Sequence, residues 1–542
     1  MIRGLLSGKQ IYKQEIHKMY RKLIQDRFDY FLHYTDIYRT EENRYLREAK
    51  ILKLQLPHIL QDFRKEDLLA GDVIYDFIGF FPRYDGHSPY FFKEEQARKL
   101  LDESRSFLSR TDEIESAIHY WHEESDRHLM PSDRSEAFSS PVLAVPDLDK
   151  LLQLGLHHLY EEVAMKDQTD PFIQALLITL TTIEDAIDFY KYQLCCLIEK
   201  EPDNTYLRHI YAILSRIRYQ NPTSFPEAIQ LLWIYAAITG LTSYGRMDVY
   251  LGDFYVSDLQ QGMIDEDTAL SYIQDLYRRS VHTFRISGIH ITLGGLGRRN
   301  PQNADQLAIL FMKAATRQEK ETAPRLILRC YEGMNSSVLD QALKEDLENS
   351  PVICCSDDTW IPSIQKAFQI NLDDAMSYIL IENEDCIPEA KSVEYPDFSL
   401  DLPELLEKVL SLDPDFPAHP EDLWNAFAAE ISSSLAGIIS LCENIRNHLS
   451  KEAGFLHLSL LTHDCTEKGK PLLEGGIRYL YSPVNITGIH SVSRRLASLT
   501  SGCESSAEDT DPFSQRIFDC LSEARLTMIR KTGPDSYRMI SR

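Results

Sequence analysis

Short runs of strand-forming residues alternate with amphipathic helical patterns in the second half of this chain, and this alternation constrains the fold most. Apolar runs typical of β-strands occupy residues 289–293, 325–329, 352–355, 378–381 and 456–461. Strands that are separated by helices favour parallel β/α units, whose sheet is covered on both faces. The sequence therefore predicts an α/β fold.

The first part of the chain has a different pattern. Apolar residues recur there at three- to four-residue spacing among charged ones, which predicts helices. We therefore expect an N-terminal helical region over residues 1–146, whose last part, rich in Ser and Pro, forms a loop or lid. No convincing linker follows Pro146, so residues 147–542 are expected to form one domain.

Composition is that of an ordinary globular protein. The 542 residues are 43% hydrophobic and 26% charged, and the formal net charge is −26. This charge argues against nucleic acid or an anionic membrane as a partner, because either would be repelled. The N-terminus becomes polar too early for a signal peptide, and no apolar run approaches the roughly 18 residues of a membrane span. Ten cysteines without a short-spaced framework indicate a reducing compartment, so we expect a cytoplasmic protein.

An ordered series of motifs runs through most of the chain. Its members lie at residues 66–71, 146–156, 225–230, 243–250, 323–329, 356–358, 474–479 and 488–493. The most distinctive are Gly475-Gly476 and Ser243-Tyr244-Gly245-Arg246. Each motif alone is weak, but their collinear order is difficult to obtain by chance. The series resembles the signature of the pyruvate formate-lyase and diol-dehydratase superfamily, the glycyl radical enzymes.

The resemblance implies a ten-stranded β/α barrel, built as two five-stranded halves that run antiparallel to each other. It also implies two loops that meet at the barrel centre. One loop carries a cysteine that forms a thiyl radical, and the other carries a glycine that stores the radical. The protein would contribute by positioning both loops in a dry cavity. Lyase or dehydratase chemistry on a small molecule, with cleavage of a C–C, C–O or C–N bond, would follow.

The cysteine loop allows two alignments with the family pattern Tyr-x-x-x-Gly-Cys-Val-Glu-Pro. A gapless alignment places Asn383 at the thiyl position and Asp385 at the acid position. A gapped alignment keeps Cys386 as the thiol and Glu389 as the acid. The gapless alignment is preferred because it requires no insertion in a functional loop. In that alignment Cys386 is an inert buried thiol.

No counterpart of the glycine loop follows the Gly475-Gly476 motif before the sequence ends. The resemblance therefore predicts an incomplete barrel and no cofactor in this chain, with a glycyl radical only if another chain supplies it. The exposed edge of such a barrel would have to be covered. We expect that a terminal helix over residues 518–529 or a second chain covers it, and a homodimer or a complementing partner is favoured.

Two functional hypotheses remain open. In the preferred one, the chain is a degenerate homologue that keeps a small-molecule pocket or has a binding or regulatory role. In the alternative, it is part of a split enzyme that uses Cys386. A separate small protein would then supply the glycine loop, and a radical S-adenosylmethionine activase would generate the radical. Cys386 should point into the cavity only in the split enzyme.

Polar residues in and near the cysteine loop are the candidate ligands of the substrate. Asn383, Glu384, Asp385 and Arg246 are predicted to contact a small molecule, and Asp385 or Glu389 could act as general acid or base. No metal site is predicted, because the histidines near residues 119–128 and 457–463 lack the spacing of metal-binding motifs. The glycine-rich stretch 294–297 lacks the spacing of a phosphate loop and predicts a tight turn.

Overall fold

The structure of the chain is a computed structural model. It describes residues 2–74, 79–81, 92–127, 144–284, 289–318, 323–344, 352–381, 385–394, 398–412, 419–501, 512–523, 526–530 and 536–541.

The regular elements of the described chain before the first strand are helices. They are α1 (Ile2–Thr40), α2 (Arg44–Ile59), α3 (Glu94–Ser104), α4 (Thr111–Arg127), α5 (Leu148–Ala164), α6 (Pro171–Lys200), α7 (Thr205–Tyr219), α8 (Phe225–Thr239), α9 (Met247–Gln260) and α10 (Glu266–Phe284). The predicted N-terminal helices are thus confirmed. The main apolar cluster includes residues on both sides of residue 146, and the domain boundary placed there stays a prediction.

Strands and helices alternate in the rest of the chain. The strands are β1 (His290–Gly294), β2 (Arg325–Cys330), β3 (Val352–Ser356), β4 (Tyr378–Ile381), β5 (Asp385–Pro388), β6 (Ser392–Glu394), β7 (Phe398–Asp401), β8 (Tyr479–Thr487), β9 (Leu526–Arg530) and β10 (Ser536–Ser541). The helices are α11 (Pro301–Thr316), α12 (Ser336–Ala342), α13 (Asp357–Phe368), α14 (Leu372–Met376), α15 (Leu402–Leu412), α16 (Pro420–Glu452), α17 (Leu456–Leu460), α18 (Cys465–Lys468), α19 (Ile489–Ser501) and α20 (Pro512–Glu523).

These strands form three sheets in the described chain. β1, β2 and β3 are parallel neighbours in that order, as the alternating pattern predicts. β4 and β5 form an antiparallel hairpin. The third sheet has the order β6-β8-β10-β9, and β7 also pairs with β8. Four of the five predicted strands, those that became β1 to β4, are confirmed within one residue.

The β1–β3 sheet has two different faces because side chains alternate along each strand. One face contributes Ile291, Leu293, Leu326 and Leu328 to the main apolar cluster. We call the opposite face the hairpin face, because Ile327 and Cys355 cluster there with Tyr378, Leu380 and Cys386 of the β4–β5 hairpin. The strand register places these sheet residues on the hairpin face: His290, Thr292, Arg325, Ile327, Arg329 and Cys355.

The base of the hairpin lies at the Arg329 end of this face. The carbonyl of Tyr378 there accepts a hydrogen bond from Arg329 Nη1 at 2.8 Å. Leu380 and Cys386 of the hairpin belong to the same apolar cluster as Ile327 and Cys355.

Residues 456–461 were predicted to be a strand, and this prediction is wrong. Residues Leu456–Leu460 form α17, whose N-terminus is capped from a distant part of the chain. The buried carboxylate of Glu48 accepts hydrogen bonds from the N–H groups of Gly454 at 2.6 Å and Leu456 at 2.9 Å. A continuous apolar run of this length fits a buried strand or a buried helix equally well, so periodicity could not separate them.

The helix predicted over residues 518–529 is wrong in its second half. The helix α20 ends at Glu523, and β9 then pairs antiparallel with β10. Within α20, Ile517 and Leu521 join a second apolar cluster with residues of α16 and α19. The residues from Leu526 onwards are a strand because they pair with β10.

Two further sequence expectations can be compared with the described chain. The turn predicted at residues 294–297 is confirmed, since Gly294, Gly295 and Gly297 have φ values of 72°, 82° and 72°. One described helix, α16, is long and apolar enough to cross a membrane by length and composition. Helices of globular proteins pass the same test, so this is weak support for a span, and the expected lack of a membrane partner stays a prediction.

Candidate functional site

The β4–β5 hairpin carries the candidate cysteine loop. Its strands end in a pair between Ile381 and Asp385, and residues 382–384 connect them. Asn383 and Glu384 belong to this connection and lie outside the described residues, so both stay predicted ligands. Asp385 is placed by its backbone as the first residue of β5, and its role as acid or ligand also stays a prediction.

Cys386 lies inside β5 and is 6% exposed. It pairs with Leu380 across the hairpin, and its side chain lies in the apolar cluster that covers Ile327 and Cys355. The alternate residues of the hairpin form a separate apolar cluster with Val145: Ile379, Ile381 and Ile387. The thiol therefore faces the β1–β3 sheet from within a strand.

Glu389 directly follows β5 and lies at the base of the hairpin, where its N–H donates to the carbonyl of Ser377 at 3.0 Å. Its Oε1 accepts a hydrogen bond from the backbone N–H of Arg246 at 3.0 Å. Burial raises the pKa of Glu389 to about 7; the Arg246 charge opposes the shift, and Asp147 and Asp149 add to it. A carboxyl group with this pKa can donate or accept a proton near neutral pH.

Gly245 permits the close approach of this carboxylate. Its φ is 59°, and a Cβ atom placed there would lie 1.8 Å from Oε1 of Glu389. Glycine is the residue that adopts this conformation without strain and leaves the space free.

Arg246, a predicted substrate ligand, is 6% exposed and uses its guanidinium on backbone carbonyls. Nη2 donates to Gly294 O at 3.1 Å and Leu296 O at 3.0 Å, and Nη1 donates to Met376 O at 3.3 Å. Burial lowers the pKa of Arg246 to about 10, and the neighbouring Arg329 charge contributes. These contacts connect the end of β1 to the segment before β4, and a substrate contact stays a prediction.

The sequence interpretation missed a charged network beneath the hairpin. Arg329 donates from Nε and Nη2 to the two carboxylate oxygens of Asp357, both at 2.9 Å. The Tyr378 hydroxyl donates to Asp357 Oδ1 at 2.8 Å, and the Arg329 guanidinium lies 3.9 Å from the centre of the Tyr378 ring. The available signal was an arginine inside an apolar strand, which in a buried position requires an anionic partner.

A polar cleft of about 360 Å³ opens near the hairpin base. Its polar lining consists mainly of Asp147, Asp149, Lys150, His463, Asp464 and Glu467. His463 Nε2 lies 2.8 Å from Asp147 Oδ2, and His463 N–H donates to the carbonyl of Ala390 at 2.8 Å. Burial opposes ionisation of Asp147, but hydrogen bonds from His463 and from Lys150 N–H outweigh it and lower the Asp147 pKa.

No group of three or more His, Cys, Asp and Glu side chains within the described part of the chain is arranged to hold a metal ion. Of the histidines weighed in the sequence, His122 contacts Glu94 at 2.9 Å on the surface, and His463 pairs with Asp147. His128 lies outside the described residues.

Comparison with known proteins identifies the class. A family model described as pyruvate formate lyase-like matches residues 13–381. The isethionate sulfite-lyase of Nitratidesulfovibrio vulgaris is 26% identical over 273 residues, which is 42% of this chain and 33% of that protein. The probable dehydratase YbiW of Escherichia coli is 22% identical over 416 residues, or 64% of this chain and 50% of that protein. The matches thus span between one third and one half of these relatives.

Solved structures agree on the fold. The hydroxyproline dehydratase of Clostridioides difficile superposes with a TM-score of 0.69 at 16% identity, covering 92% of this chain and 71% of that one. The B12-independent glycerol dehydratase of Clostridium butyricum gives a TM-score of 0.66 at 16% identity, covering 93% and 73%. A glycyl radical enzyme of Archaeoglobus fulgidus gives 0.65, also at 16% identity, covering 92% and 75%.

The fold is therefore the β/α barrel type of the glycyl radical enzymes, and the predicted α/β class is confirmed. The chain belongs to the pyruvate formate lyase-like family, as the motif series implied.

Proposed function

We propose that this chain is a pyruvate formate lyase-like protein that binds a small molecule but lacks its own thiyl chemistry. The observation that carries the proposal is the position of Cys386 within β5, facing an apolar cluster. Asn383 belongs by sequence to the connection between the hairpin strands. A thiyl cysteine must reach the substrate, whereas a side chain packed between two sheets does not.

The chemistry supports the same proposal. In a glycyl radical reaction, the thiyl sulfur takes a hydrogen atom from a substrate C–H bond, which leaves a carbon radical and a thiol. The amide of Asn383 offers no sulfur for this step. In the gapped alignment the thiol would be Cys386, which faces an apolar cluster, and the acid would be Glu389, which contacts the backbone of Arg246 at the hairpin base.

We propose a binding or regulatory role on a small molecule of the kind that its relatives act on. The related proteins carry names such as isethionate sulfite-lyase and hydroxyproline dehydratase, and those names describe group removal from small polar molecules. We also propose a cytoplasmic location and no resident cofactor, with a glycyl radical only from a partner chain.

The test is anaerobic co-expression with a radical S-adenosylmethionine activase and a small glycyl-loop protein, followed by electron paramagnetic resonance and a search for turnover. We expect no turnover that depends on Cys386. The variants are Cys386→Ala and, as a matched buried thiol on α16, Cys442→Ala. A glycyl doublet with turnover that is lost in Cys386→Ala and kept in Cys442→Ala would establish the split enzyme instead.

We also propose that the protein associates, as a homodimer or with a complementing chain. Among the described strands, β3 is an edge of the parallel sheet, and its burial is the least complete of the three strands. Exposed edges of this kind favour pairing or coverage. Light scattering on the purified chain should give twice the mass of one chain or a complex with a partner. A stable monomer with a single cooperative unfolding transition would contradict the proposal.

A further inference from the structure

The far end of the hairpin face carries two basic side chains that no other part of the site uses. His290 and Arg325 are opposite each other in the β1–β2 register, so they lie on the same face. Ser243 forms a parallel bridge with His290 and extends this end of the sheet. The base of the hairpin contacts the Arg329 end of the same face, where Arg329 donates to the Tyr378 carbonyl.

His290 is buried without satisfying its polar atoms. It is 6% exposed, and neither ring nitrogen has a hydrogen-bond partner among the described residues. Burial, followed by the Arg325 charge, lowers the pKa of His290 to about 4. The ring is therefore neutral at pH 7 and offers one N–H donor and one acceptor. Buried polar groups are normally paired, so this ring calls for a partner from outside the chain.

Arg325 is an exposed cation next to this buried ring. Within the described part of the chain, its guanidinium forms no ion pair, whereas Arg329 on the same strand binds Asp357 through two bonds. A guanidinium presents a planar fork of donors that fits carboxylate and similar oxyanions.

We infer that this end of the hairpin face binds the anionic headgroup of a small organic acid, a carboxylate or a sulfonate. Arg325 supplies the charge and the fork of donors, and His290 supplies one further N–H. Thr292 and Ile327, the next residues on the same face, are buried, so the site is confined to the His290 and Arg325 end. The inference rests on the proposed function, because it names the chemical class of the small molecule.

The experiment is a binding titration of the purified full chain, monitored by isothermal calorimetry and by ligand-observed NMR. Propionate and ethanesulfonate are the anionic probes, and propionamide is the neutral probe of similar shape. We expect the anions to bind at least about tenfold more tightly than propionamide, because charge-assisted hydrogen bonds are stronger than neutral ones. The ratio of the dissociation constants of the two anions then identifies the preferred headgroup.

Two variants decide the assignment. Arg325→Gln should weaken anion binding at least about tenfold, while Arg317→Gln, an exposed arginine at the end of α11, should leave it unchanged. The proton NMR signal of the His290 ring, assigned with His290→Asn, should show a higher pKa of His290 when anion is bound. A merely structural histidine would not respond in this way.

Equal anion binding by wild type and Arg325→Gln would overturn the inference, as would no binding of either anion at about 100 mM, far above the millimolar range of weak specific ligands. These outcomes do not depend on radical chemistry. Cys386-dependent turnover would overturn the proposed function and leave the anion result standing. If neither anion binds and no Cys386-dependent turnover is found, only the proposed substrate class is overturned.

Discussion

Arg329 and Arg246 are two buried arginines within the same barrel, and their surroundings differ. Burial alone would lower the pKa of Arg329, but the two bonds to Asp357 outweigh it and raise the pKa. The Arg246 guanidinium donates to backbone carbonyls of the described residues, and burial lowers its pKa to about 10. The nearby carboxylates that offset its charge are Asp248 and Glu389. Arg329 is thus neutralised by a carboxylate that contacts it directly. The charge balance around Arg246, in contrast, changes when Glu389 gains or loses a proton.

The largest effect should come from breaking the Arg329 pair. Asp357→Asn removes the anion and leaves a fully buried guanidinium without a countercharge. We expect a loss of about 3–5 kcal/mol in the free energy of unfolding, measured by urea denaturation. Asp340→Asn, an exposed position within α12, should change stability by less than about 0.5 kcal/mol. A small loss of unfolding free energy in Asp357→Asn would mean that Arg329 depends on a contacting carboxylate no more than Arg246 does.

The Arg246 region should instead respond to pH. The pKa of Glu389 is raised to about 7 in the folded protein, above the ordinary carboxyl value near 4.3. Its contribution to stability is therefore full below about pH 4.3 and is lost as the pH rises through about 7. We expect Glu389→Gln to be more stable than wild type at pH 8, by up to about 3 kcal/mol, and to differ little at pH 4.5.

Unfolding free energies of both proteins across this pH range check the prediction. Glu95→Gln on α3 replaces an exposed carboxylate and should give a difference that hardly depends on pH. A pH-independent difference for Glu389→Gln would show that Arg246 holds Glu389 ionised, and the contrast between the two regions would then disappear.

A backbone substitution sharpens the same contrast. Gly245→Ala imposes a φ of 59° on alanine and places its Cβ against the Glu389 carboxylate. We expect a cost of about 1–3 kcal/mol in thermal or chemical unfolding. Gly437→Ala in α16, where no atom lies within 4 Å of the added Cβ, should stabilise the protein by about 0.5–1 kcal/mol. Similar changes in stability for both variants would refute the close approach of the Glu389 carboxylate to Gly245.

The smallest effect concerns the apolar cluster next to Arg329. Cys386→Ala should cost only about 1 kcal/mol, because one small side chain leaves a packed cluster. In the native protein, a thiol reagent should label exposed Cys354 and leave Cys386 unlabelled until unfolding. A hydrogen bond with Cys330 lowers the pKa of Cys354 to about 7, which favours its reaction. Rapid native labelling of Cys386 would contradict its packing.

The sequence predicted the strands β1 to β4 because each is a short apolar run between helices. It failed at residues 456–461, where the decisive contact is the Glu48 carboxylate, about 400 residues earlier in the chain. Local periodicity contains no information about such a cap.

The candidate site was predictable only in part. The alignment of the cysteine loop located the hairpin segment and Glu389, but the direction of the Cys386 side chain depends on a strand register that spacing does not reveal. The same holds for His290 and Arg325, which are 35 positions apart and become neighbours only when β1 pairs with β2. Charged residues within apolar strands were the one available signal.

The cap of α17 by Glu48 also sets an order of events during synthesis. Gly454 leaves the ribosome 406 residues after Glu48, which at typical translation rates takes roughly 20–80 s. Throughout that interval, the two N–H groups that the Glu48 carboxylate caps do not yet exist. The contact between α2 and α17 therefore forms only after most of the chain has been synthesised, and an N-terminal fragment would lack it.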